Sequence, residues 1–178
     1  MGTTDGLRGP EIWIRGPVTV PDPTSAAAPA PMPSGSSVTP RRFSWVATHG
    51  GAGTSTLAAV YGGHDSGRGW PGAGDPPSVL LVARTHAAGL ESVLRTLEVF
   101  RRGEAPAGLD LDSVVLVADA PGRLPRPLAQ RVRAIEDVID VYRVPWVTEW
   151  RLGDLGGNPP RETAPLARLT GAPGGSPR

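Results

Sequence analysis

The sequence predicts a small α/β domain in three layers, a mostly parallel sheet with helices flanking both faces. Residues 79–83 and 114–118 are purely apolar runs of five, as expected of strands buried on both faces. Between them Leu90, Val93, Leu94, Leu97 and Phe100 recur at helical spacing and lie on one helix face. Glycine (24) and proline (21) crowd at the two ends and in one internal stretch, which leaves residues 41–156 for the folded core.

Taken in chain order, residues 1–40 carry eight prolines and read as a flexible tether. Glu11-Ile12-Trp13-Ile14-Arg15 interrupts it as a short docking segment. That segment is either an edge strand of this domain or a peptide that joins a partner's sheet. Residues 43–48 form the first strand and 55–61 a short helix stopped by Gly62 and Gly63. Residues 62–78, with six glycines and three prolines, read as a long loop without a strand. The strand at 79–84 precedes the clearest helix, which Gly103 ends. A strand at 114–118, a helix at 126–136 with Pro127 in its first turn, and a strand at 138–144 ended by Pro145 complete the core. Residues 157–178 are expected to be a loose tail.

The charge balance is nearly even, 18 basic against 17 acidic side chains, so bulk electrostatics gives no strong nucleic-acid signal. Cysteine is absent, which excludes disulfides, thiolate metal sites and a cysteine nucleophile. His49, His64 and His86 lack the paired spacing of a zinc site. No apolar run approaches the roughly 20 residues of a membrane span, and Arg15 and Pro17 break the one apolar patch near the start. A cytoplasmic protein without membrane insertion is the expectation. All 18 basic residues are arginine.

The segment His49-Gly50-Gly51-Ala52-Gly53-Thr54-Ser55-Thr56 lies between the first strand and the first helix. Glycines there let successive amides turn into one concavity, and the helix start adds partial positive charge, which together suit a phosphate. Ser55 stands where a hydroxyl holds Mg²⁺.

This loop resembles the deviant phosphate loop of the ParA and MinD partitioning ATPases, Lys-Gly-Gly-x-Gly-Lys-Ser/Thr-Thr. Gly50, Gly51, Gly53, Ser55 and Thr56 match, while His49 and Thr54 replace the two lysines. The later strands and Val144-Pro145 are similar to the family's closing elements. The resemblance implies a reduced P-loop NTPase-like core over 41–156 and a nucleotide, ATP or GTP with Mg²⁺, on Gly50, Gly51, Ala52, Gly53, Thr54, Ser55 and Thr56. Without the lysines hydrolysis is not expected, because catalysis in such sites is positioning plus electrostatics. The expected role is a pseudo-NTPase acting as an accessory or regulatory subunit, with a protein partner or a second copy. Its setting would be a mobile or conjugative element of a GC-rich, actinobacterial genome. Two alternatives stay open: a working Mg²⁺-dependent ATPase or GTPase, and a structural interaction module without ligand.

In a parallel sheet the residues just past the strands converge on the ligand. Arg84 is placed there to supply part of the missing charge, and His86 reads as a helix start. Asp119 has three readings: a Mg²⁺-linked carboxylate as in the Asp-x-x-Gly of GTPases, a residue near the base, or the opening of a tight turn. The second supposes that the Mg²⁺-linked aspartate has been lost from 62–78. Trp146 and Trp150 form a packing or partner-binding edge, or a stacking surface for a base.

Overall fold

The computed structural model describes residues 42–172; the tether and docking segment expected in 1–40 lie outside them. Five parallel strands form one sheet in the order β2-β1-β3-β4-β5. They are β1 (Ser44–Ala47), β2 (His64–Asp65), β3 (Ser78–Arg84), β4 (Asp110–Val117) and β5 (Val141–Val144). The helices are α1 (Thr54–Tyr61), α2 (Ala87–Arg101), α3 (Arg126–Glu136), α4 (Thr148–Arg151) and α5 (Ala164–Thr170).

The alternation along β3 builds both halves of the core. Leu80 and Val82 pack with Trp45, Leu57 and Tyr61 on the α1 face, whereas Val79, Leu81 and Ala83 pack with Leu90, Val93, Val132 and Ile135 on the α2 and α3 face. All of these side chains are buried, each contributing about 1.5–3 kcal/mol for the larger aliphatics. The result is the three-layer α/β arrangement that the apolar strands predict. The chain leaves β1 toward β2 through α1 but leaves β3 toward β4 through α2, so the winding direction reverses between β1 and β3. Such a reversal opens a crevice past the carboxyl ends of the two strands.

The structure corrects three expectations. Residues 62–78 do contain a strand, β2, whose backbone docks on the edge of β1 through His64 N–H to Phe43 O and Ser66 N–H to Trp45 O, both 3.0 Å. An edge strand of two residues needs backbone pairing but no apolar run, so periodicity misses it. The final strand starts at Val141 instead of 138, because Val138 and Ile139 donate to Ile135 O in the turn that closes α3. The loose tail is replaced in part by α5, with Leu166 and Ala167 buried in the same cluster as Trp45 and Tyr61. Thr163 is buried as well and accepts a 2.6 Å hydrogen bond from the Tyr61 hydroxyl.

Candidate functional site

The glycine loop sits at the winding reversal, between the end of β1 and the start of α1. Gly51 (φ 72°) and Gly53 (φ 108°) take left-handed backbone angles that a side chain resists. A Cβ at Gly50 or Gly51 would meet nothing within 4 Å, so the outer side of the loop is open, while Ala52 is buried beneath it. Thr54 and Ser55 begin the helix.

His49 ties the loop to the neighbouring strand. Its Nε2 accepts the Arg84 N–H at 3.0 Å, and Nδ1, the protonated nitrogen in this arrangement, donates to Gly50 O at 2.9 Å. A Cβ on Gly89 would fall 2.2 Å from Arg84 O and 3.0 Å from His49 Nε2. Only glycine lets the first turn of α2 pack this closely on the loop. His86 caps α2 by accepting the Gly89 N–H at 2.9 Å, the helix-start role expected of it.

Arg84 reaches back over the same loop. Its Nε donates to Gly51 O at 3.0 Å and its Nη1 to Ala118 O at 3.4 Å. The expected cation is therefore brought to the loop, from β3.

The carboxylate at the loop is Asp65. Ser55 Oγ donates to Asp65 Oδ2 at 2.5 Å, and Gly67 N–H donates to Oδ1 at 2.9 Å. Asp119 lies elsewhere, past the end of β4, where its N–H donates to Thr85 Oγ1 at 3.1 Å. Within 62–78, where the Mg²⁺-linked aspartate is supposed lost, the parallel register that aligns β2 with β1 carries Asp65 to the start of α1. Sequence reading missed Asp65 because β2 has no apolar signature. The one available signal was Asp65-Ser66-Gly67, whose aspartate closes a turn on the glycine amide.

Burial pulls the Asp65 carboxyl upward, but the hydrogen bonds from Ser55, Gly67 and Thr54, with His64 alongside, outweigh it and hold the group below its usual 3.8. A lowered carboxyl stabilises the fold above its unfolded value, and that contribution fades as pH falls through the folded one. Asp65→Asn is therefore expected to cost more stability at pH 7 than at pH 3. Urea melts of both chains at the two pH values check this; an equal difference at both would show that the charge is irrelevant.

Two clefts open at this edge of the sheet. One, of about 260 Å³, borders the loop and is lined by Gly53, Thr56, Arg84, Trp146, Trp150 and Arg151 among others. The other, about 400 Å³, lies on the α3 side past β4 and β5 and includes Asp119, Arg123 and Leu128. Trp150 packs edge-on against Tyr61 at 6.4 Å, and Trp146 carries the Arg151 guanidinium 4.2 Å above its ring. Both tryptophans thus take part in the domain's own packing. Arg151 was not singled out by sequence, since an arginine in a four-residue helix has no distinguishing pattern.

No group of three or more histidine, cysteine or acidic side chains is placed to hold a metal among the described residues. Among the same residues no helix is long and apolar enough to cross a membrane. No family model matches the chain, and no curated protein or solved structure matches it.

Proposed function

We propose that the domain binds the phosphates of a nucleotide, ATP or GTP, at Gly50 to Thr56, without turning it over efficiently, and serves as an accessory or regulatory subunit for a protein partner. The observation that carries this reading is the Ser55 to Asp65 hydrogen bond at the lip of an open glycine loop. The pair ties α1 to β2, and it also sets a hydroxyl and a carboxylate oxygen beside the loop amides, the oxygens that a phosphate's counter-ion takes.

Mg²⁺ completes its shell with phosphate oxygens and water around one or two protein oxygens. Ser55 Oγ and Asp65 Oδ2 are a donor set of that kind, so the residues fit the ion that the resemblance implies. The ion would supply charge for the phosphates. Ser55 and Asp65 would orient it, the loop amides would bind the phosphate oxygens, and Arg84 would add a fixed positive charge from β3.

Titration of the full chain with fluorescent ATP and GTP analogues, with Mg²⁺ and with a chelator, tests the reading. Binding is expected to tighten with Mg²⁺, and Ser55→Ala and Asp65→Asn should each erase most of that gain. Absence of binding under both conditions would leave a structural module without ligand.

A further inference from the structure

Arg84 and Arg151 enter the cleft beside the glycine loop from different parts of the chain, the end of β3 and the last residue of α4. They meet at one acceptor: Arg84 Nη1 and Arg151 Nη2 each donate to Ala118 O at 3.4 Å. No carboxylate lines this cleft. Among the described residues neither arginine makes an ion pair, whereas Arg95, Arg101, Arg102 and Arg143 all do.

Two guanidinium groups held this close repel one another, and a neutral carbonyl compensates neither. Each is nevertheless held in place by the fold. Arg84 is fixed by Gly51 O, and Arg151 lies over Trp146, a contact favourable for a cation. Much of their hydrogen-bonding capacity is still to be used: Arg84 Nη2 lies 3.9 Å from where a Gly53 Cβ would stand, facing the loop, and no acceptor among the described residues takes its N–H groups. A planar fork with spare donors is the geometry that recognises phosphate oxygens two at a time.

We infer that Arg84 and Arg151 form a two-arginine clamp on the phosphate chain, supplying for binding the positive charge that the loop lacks. The inference rests on the nucleotide reading above and deepens it in two ways. It assigns Arg151 to the site, and it sets the ligand class. Two cations beyond the loop amides favour a diphosphate or longer chain over a single phosphate group. The arginines come from β3 and α4, so binding would also link the loop to the segment after β5.

Calorimetry on the full chain at low salt, without divalent metal, tests this with inorganic pyrophosphate and orthophosphate as probes. Pyrophosphate is expected to bind about tenfold tighter or more. Arg84→Gln and Arg151→Gln each keep a donor for Ala118 O but lose the charge, and each should weaken pyrophosphate binding by about tenfold, the range of a charge-assisted hydrogen bond. Both should also flatten its salt dependence. Arg123→Gln, in the neighbouring cleft, should change neither. Thermal melts confirm folding, and Arg84→Lys, which keeps charge without the fork, should recover part of the affinity. Unchanged pyrophosphate binding in Arg151→Gln would overturn the clamp while leaving the loop reading in place if Gly53→Asp still abolishes binding. No binding of pyrophosphate or nucleotide by the wild-type chain would overturn both.

Discussion

A chain ending at Gly156 is expected to lose a substantial share of its stability. The truncation removes Leu166 and Ala167 from the cluster built on Trp45, Leu57 and Tyr61, and takes Thr163 away from the buried Tyr61 hydroxyl. Exposing the leucine's former site costs about 1.5–3 kcal/mol, and losing the hydrogen bond from the phenol to Thr163 about 0.5–1.5 more. Against a typical total of roughly 5–15 kcal/mol, the melting temperature should fall by roughly 5–15 °C. A second readout is the titration of Tyr61: burial raises it above the usual 10.0 despite the hydrogen bond to Thr163, and truncation should bring it back. A melting temperature within about 3 °C of the full chain would show α5 to be dispensable.

The second large effect concerns turnover. The chain is expected to hydrolyse neither ATP nor GTP above a Gly53→Asp control. The missing lysines remove positive charge from where negative charge develops in phosphoryl transfer, and a cation of that kind is worth about 10³–10⁵ in rate by analogy with arginine fingers. Arg84 does not restore it by position alone, because its Nε and Nη1 are already committed to Gly51 O and Ala118 O. Binding is a separate matter, since loop amides and oxygen donors act without it. Phosphate-release assays over hours check the prediction. Turnover that disappears in Ser55→Ala would establish a working NTPase and end the accessory-subunit reading.

The buried parallel sheet, its two apolar central strands, the helix at 87–101 and the glycine loop between β1 and α1 were all legible in the amino-acid sequence. Each is encoded locally, by a continuous apolar run, a helical period or a cluster of residues with unusual backbone freedom. The absence of lysine was equally plain, and with it the argument against catalysis. Arg84 was also within reach of sequence reasoning, because residues that end a parallel strand must lie at the ligand edge.

What tertiary structure alone decided is which distant residues share the loop. Asp65 reaches Ser55 because a two-residue strand pairs with the edge of β1, an arrangement held by backbone hydrogen bonds that leave no trace in side-chain pattern. Arg151 reaches Ala118 O from a four-residue helix beyond the last strand, and α5 closes the core from a stretch whose glycines and prolines made it look like a tail. Asp119, the more conspicuous acid, lines the neighbouring cleft, with its N–H bonded to Thr85 Oγ1. Local chemistry sets the elements; strand order and the burial of a few scattered side chains set which of their ends meet.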